Sequence, residues 1–390
     1  MQPISTYALQ GFQLVQSGRA QEGVAKFQEG LKADPNDGGC LLGLARLRLL
    51  AGDRDGAVPF LRRLSAAHPE LPEAQSHLAL MKFQDGDERA LETLRTCATA
   101  PGAGVFDFLN LGKALSLKHD AQGAEAAFSR AASLEPHNPF PLLEAAEAAL
   151  ARRDSGAAIV RLEAAVRLAP DEVALLCTLA DAYEMGGQPK RASEAIGRAG
   201  ALDPDDPELL SRRYELASAA GDWKEARAAA SRLVQQKPDG VQGRYMLGRA
   251  LAYEGRLPEA RELLEKLVAE APEAAEPRQV LADLLGQLGD RARARALLLE
   301  AVELSPAAIG PANDLANAYF EDGAWADAER VLGPVAKAHP DDPITNFNLA
   351  LATSKRDAGA AIALARKVEA SGHPSLAPEA RRLIAALSRS

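Results

Sequence analysis

Apolar residues return three or four positions apart along almost the whole chain, in short runs separated by polar turns. In one stretch Phe108, Leu111, Gly112 and Leu115 mark an apolar face. After a break at His119-Asp120, Ala124, Phe128 and Ala131 mark a second face before Glu135-Pro136. The next stretch repeats the plan with Leu142, Ala146 and Ala149, then Ala158, Leu162 and Ala165, and closes at Pro170. The one after has Leu176, Leu179, Ala180 and Tyr183, then Ala192, Ile196 and Ala199, and closes at Pro204. This period is that of an α-helix with one buried stripe, so each stretch predicts two amphipathic helices. No run alternates with the period of a strand.

The closing prolines fall on a ruler. Pro136, Pro170, Pro204, Pro238, Pro272, Pro306 and Pro340 are evenly spaced, and Pro35 and Pro69 share the spacing. Self-similarity at a period of about 34 residues marks a stacked repeat array. Between the two helices of a unit stands a glycine, at Gly18, Gly52, Gly187, Gly221, Gly255, Gly289 and Gly323. That position suits a left-handed helix cap, and the closing proline suits the end of the second helix.

A small residue midway along the first helix, Ala-x-x-x-Phe/Leu-x-x-Ala in the second, and a closing proline resemble the tetratricopeptide repeat. The resemblance covers nearly the whole chain. It implies an all-α, right-handed α-α superhelical solenoid of about eleven helix-turn-helix units plus a C-terminal capping helix. The units are expected at 4–37, 38–71, 72–104, 105–138, 139–172, 173–206, 207–240, 241–274, 275–308, 309–342 and 343–375, with the cap near 377–388. The expected organisation is an N-terminal group of three repeats over 1–104, regular repeats over 105–375, and the cap and tail over 376–390.

Two units depart from the ruler. The step from Pro69 to Pro136 falls a single position short of two periods, and the third unit ends in Pro101-Gly-Ala-Gly. A local break in regularity, with a hinge, is expected there. The eleventh unit is expected to shorten the turn around Arg356-Asp357-Ala358-Gly359.

Composition narrows the class. Hydrophobic residues make up 47% but aromatics only 5%, so alanine supplies much of the core and the helices pack closely. A formal charge of -9 argues against nucleic acid and anionic membranes as partners. Cys40, Cys97 and Cys177 are scattered, which reads as core residues of a chain in a reducing compartment. Residues 1–20 show no signal-peptide pattern, and no apolar run is long enough to span a membrane. The expectation is a bacterial, cytoplasmic protein.

The sequence offers no catalytic, cofactor or metal site. His68, His77, His119, His137, His339 and His373 form no HxxxH or HExxH pattern and read as exposed polar residues. No glycine-rich phosphate loop or nucleophile elbow occurs. Trp223 and Trp325 each follow a turn glycine by two positions, where a core ring is expected.

The first helix of each pair is expected to line the concave face. An acidic row results, with Glu144, Glu147, Asp181, Glu184 and Glu215 among its members, joined by Glu208, Asp283, Asp314 and Glu321. Tyr245 and Tyr253 form an aromatic island with Arg249 between them, and Phe320 and Phe347 form another. Asn313, Asn317 and Asn348 are placed to pair with a peptide backbone. Together these imply a non-enzymatic scaffold or adaptor that holds a basic, apolar peptide or helix of a partner protein. Chaperone-docking members of the family use a cationic carboxylate clamp; Glu144 and Glu147 beside Lys113 argue against one here. The alternatives are a self-assembling repeat protein, forming homo-oligomers, and a regulatory arm of a complex whose catalytic chain is separate.

Overall fold

A computed structural model describes residues 5–388, and every regular element in them is an α-helix. Residues 1–4 and the last two residues of the expected tail, 389–390, lie outside the described residues.

The helices run in consecutive pairs. They begin with α1 (Thr6–Gln16) and α2 (Ala20–Ala33), α3 (Gly38–Leu50) and α4 (Arg54–Ala67), and α5 (Pro72–Gln84) and α6 (Ala90–Thr99). Then come α7 (Val105–Leu117) and α8 (Ala121–Leu134), α9 (Phe140–Ala151) and α10 (Ser155–Leu168), and α11 (Val173–Met185) and α12 (Pro189–Leu202). These belong to a first compact unit that ends at Asp203. The second unit starts at Pro204 and holds α13 (Pro207–Ala219) and α14 (Trp223–Gln236), α15 (Val241–Tyr253) and α16 (Leu257–Glu270), and α17 (Glu276–Gln287) and α18 (Arg291–Leu304). It closes with α19 (Ile309–Glu321) and α20 (Trp325–Ala338), α21 (Pro343–Thr353) and α22 (Ala358–Ala370), and the single helix α23 (Leu376–Leu387). The eleven pairs and final cap match the expected architecture.

The turn within each pair has a local cause. The glycine after the first helix takes a left-handed conformation, with φ of 74° at Gly52 and 88° at Gly289. Two other units lack that glycine, and there His119 and Arg153 hold φ near 60° in its place. The next residue is often aspartate. Asp53, Asp120, Asp154, Asp222 and Asp290 each accept a hydrogen bond from the backbone N–H three positions on, which caps the second helix.

Within a pair, a small residue of the first helix meets a large one of the second. A Cβ added at Gly112 would stand 2.4 Å from the Phe128 ring, and one at Gly248 would stand 2.7 Å from Leu264. Phe27, Leu61, Leu94, Phe128, Leu162 and Ile196 fill the first unit from its second helices. Leu264, Leu298 and Leu332 do the same in the second.

Charged residues tie successive pairs at their edges. Arg152 reaches Glu125, Arg227 reaches Glu254, Arg295 reaches Asp322 and Arg356 reaches Glu329. Each of these links joins the second helix of one repeat to the end of the next first helix or to the turn that follows it.

At the one-residue slip, α6 is only ten residues long, where the other second helices have 13 or 14. In the eleventh unit the shortening is elsewhere than expected. The link from Ser354 to Asp357 is four residues long, and α21 itself is cut to 11.

Candidate partner-binding surface

Carboxylates on the first helices gather around two hollows, one in each unit. The hollow in the first unit, of about 500 Å³, is lined by Lys113, Ser116, Glu144 and Glu147 of α7 and α9. Glu144 is neutralised by Lys113 at 3.2 Å. Glu147 forms no ion pair among the described residues. Loss of water among the helices, and then the charge of Glu144, hold its carboxyl above the usual range.

The hollow in the second unit, of about 340 Å³, lies along α17, α18 and α19 and holds Asp283, Asp314 and Asn317. Its two arginines are already matched, Arg291 to Glu321 at 3.2 Å and Arg295 to Asp322. Gln279 donates to Asp314 at 2.6 Å, but no cation among the described residues meets either aspartate. Burial, and then the charge of Asp314, push Asp283 up to about 6, and burial also raises Asp314. Asp283 is exposed and Asp314 half-buried, and two like charges whose neighbouring arginines are committed elsewhere form a site of unmatched negative potential.

Other expected surface residues sit differently. Asp181 and Glu184 are exposed on α11 and engage other residues. Glu215 is exposed on α13. Asn313 and Asn348 are buried and bond to each other. Asn348 donates to Asn313 at 2.8 Å, and Asn313 donates to Thr345 at 3.0 Å and to the Ile309 carbonyl at 2.8 Å. These amides tie α19 to α21 and leave Asn317 as the exposed member of the three. Phe320 packs beside Trp325 with ring centres 5.1 Å apart, and Phe347 packs on the core around Ala350 and Ala365.

Around α15 the expected island is larger than the sequence suggested. Trp223 stacks on Tyr253 at 4.4 Å with planes 14° apart, so this ring lies only half in the core. The Arg249 guanidinium lies over the two rings, 5.7 Å and 5.8 Å from their centres. Tyr214 joins them, a residue that the sequence reading missed. Its signal is legible: position 214 falls where the other repeats place glycine or alanine.

The histidines need one correction. His77 is not an exposed polar residue but is buried on α5, where its Nδ1 lies 3.2 Å from the Asn110 amide. Two others brace successive connections, His68 donating to the Asn36 carbonyl at 2.7 Å and His339 to that of Ala307 at 3.1 Å. Cys40 and Cys97 are buried and unpaired. Among the described residues there is no cluster suited to a metal ion, and no helix is long and apolar enough to cross a membrane.

Known proteins share this plan. The structure is similar to that of yeast Tom70, with a TM-score of 0.52 and 15% identity, over 98% of this chain and 96% of that one. It is also similar to a tetratricopeptide repeat protein from Parabacteroides merdae ATCC 43184. There the TM-score is 0.50 and the identity 18%, over 65% of this chain and 99% of the other. No curated protein matches the sequence. The family model for the tetratricopeptide repeat matches residues 14–81, 149–211, 217–284 and 285–346, well over half of the chain. With the helix pairs, their turns and their packing rule in agreement, the chain belongs to the tetratricopeptide repeat family.

Proposed function

We propose that this scaffold binds a basic segment of a partner protein on its first-helix faces. Repeats of this kind serve protein–protein interaction in general; the finer reading concerns the chemistry of the partner. The observation that carries it is the Asp283–Asp314 pair, which shares its hollow with two arginines that are already paired to other carboxylates and forms no ion pair among the described residues. A lysine or arginine placed there would supply the missing charge without displacing an existing ion pair. Glu147 offers the first unit a second such point. Preformed helices would spare the scaffold the cost of ordering on binding, and the field would raise the association rate.

A capped lysine–alanine nonapeptide, titrated by calorimetry, tests this reading. Binding is expected to weaken roughly tenfold in the Asp283→Asn/Asp314→Asn variant and to fall as salt rises. At pH near 6 it should also release protons, because an arriving cation lowers a carboxyl that is raised to about 6 in the free protein. Affinity unchanged in the double variant would sink the proposal.

A further inference from the structure

One cation interrupts the acidic row. Positions 147, 181, 215, 249 and 283 are each one repeat apart, and they hold Glu147, Asp181, Glu215, Arg249 and Asp283. In the second unit Arg249 therefore replaces a carboxylate between Glu215 of the preceding repeat and Asp283 of the following one.

No carboxylate among the described residues neutralises it. Arg249 is half-buried on α15 and forms no ion pair there. Its guanidinium carbon lies over the Trp223 and Tyr253 rings, but at 5.7 Å and 5.8 Å from their centres. Near the limit of about 6 Å such cation–π contacts are weak, and they leave the guanidinium N–H groups without a carboxylate partner among the described residues.

A second, independent observation concerns Tyr214. In most repeats the first helix carries a small residue and the second helix a large one that packs onto it. At 214 and 230 the order is inverted, with Tyr214 and Ala230 both in one core. Tyr214 is 2% exposed, and its hydroxyl has no hydrogen-bond partner. Burial pushes its phenol up to about 12, with the positive charge of Arg249 the largest opposing influence. Tyr245 stands one turn before Arg249 on α15 and packs against the same core as Tyr214. A hydroxyl left unbonded in a core costs stability unless something completes it.

The geometry points to an oxyanion-binding subsite on α15, formed by the Arg249 guanidinium with the Tyr214 and Tyr245 hydroxyls beside the Trp223–Tyr253 stack, which takes an aspartate or glutamate side chain of a bound peptide. All three groups can donate hydrogen bonds, and a planar monoanion matches a single guanidinium. One cation flanked by Glu215 and Asp283 is poorly suited to a dianionic phosphate. The inference rests on the proposed binding face, and it adds that the partner carries one acidic residue among basic ones, which sets its register.

The test compares capped lysine–alanine nonapeptides with a central glutamate or a central glutamine. Binding is read from Trp223 fluorescence in a Trp325→Phe background and from calorimetry. The glutamate peptide is expected to bind roughly tenfold tighter, and the preference should vanish in Arg249→Gln. Tyr214→Phe keeps the ring in the core and should reduce the preference several-fold, with circular dichroism checking that both variants fold. Equal affinity for the two peptides overturns the subsite, while the proposed function stands if both still respond to Asp283→Asn/Asp314→Asn. Preference retained in Arg249→Gln, or tighter binding by a phosphoserine peptide, also overturns it. Recovery of affinity by a glutamine peptide with a free C-terminus would overturn it too, by assigning the site to a chain terminus. Binding of neither peptide removes both readings.

Discussion

Glycine in the middle of a helix normally costs about 1 kcal/mol relative to alanine, so Gly→Ala is often stabilising. Gly112 should reverse that sign. An added methyl would stand 2.4 Å from the Phe128 ring, which is itself 1% exposed and has nowhere to go. Overpacking of this kind costs about 1–3 kcal/mol and outweighs the gain in helix propensity. Gly197 on α12 is the control, because no atom lies within 4 Å of an added Cβ. Urea denaturation should find Gly112→Ala destabilised and Gly197→Ala stabilised by about 0.5–1 kcal/mol. Two changes of the same sign would refute the close-packing rule at Gly112. The rule itself is legible in the sequence at Gly112 and Phe128, and so is its inversion at Tyr214. Where the Tyr214 hydroxyl lies relative to Arg249 is not, since that depends on how α13 packs against α15.

At the scale of elements, the shortened α6 leaves α5 and α7 joined by a buried polar network. Arg46 forms two hydrogen bonds to Glu73, at 2.7 Å and 2.8 Å, and lies 4.2 Å from the centre of the Phe106 ring. Asn110 donates to Ser76 at 3.0 Å, and His77 lies 3.6 Å from Glu73. Asp107, 1% exposed, accepts from the Gly104 N–H through one oxygen, while the other has no partner. Burial pushes its carboxyl up to about 6, and the nearby Glu73 charge adds to the shift while that of His77 opposes it. A carboxyl raised from its unfolded value of 3.8 binds its proton more tightly in the folded state. Its contribution is therefore most favourable at low pH and is lost as pH rises from about 4 through about 6. Glu73 is lowered, so its contribution runs the other way and is lost as pH falls. Asp107→Asn keeps the acceptor for Gly104 and removes the charge. Thermal melts should show this variant more stable than the parent at pH 7.5, with the advantage shrinking towards pH 4. An advantage that does not vary with pH would refute the assignment.

For the whole molecule, each unit carries its own core. Phe27, Phe128 and Ile196 are buried in the first, and Leu264, Leu298 and Leu332 in the second. Repeat arrays are stabilised by each unit and its nearest neighbours, so stability is not held at one centre. Residues 1–203 and 204–390, produced separately, should each keep helical circular dichroism and melt cooperatively. An unfolded product from either segment would show that its core cannot stand alone. The charge of -9 belongs to this scale as well. Edge pairs such as Arg227–Glu254 join successive repeats, each worth at most about 1 kcal/mol at such exposure. Asp283 and Asp314 remain outside those pairs.

The sequence by itself determined the repeat, the helix pairing, the left-handed turns and the small-against-large packing. These follow from backbone geometry and from a periodicity that every unit repeats, so the signal accumulates along the chain. Tertiary structure alone decided which of the first-helix side chains pair with one another and which do not. Asn313 and Asn348 bond to each other, and Arg291 and Arg295 answer Glu321 and Asp322 beside an unmatched aspartate pair. Arg249 stays without a carboxylate among the described residues, near an unbonded tyrosine. Those outcomes join side chains about one repeat apart and turn on individual rotamers between stacked helices, where the period is the same for every repeat and the side chains are not.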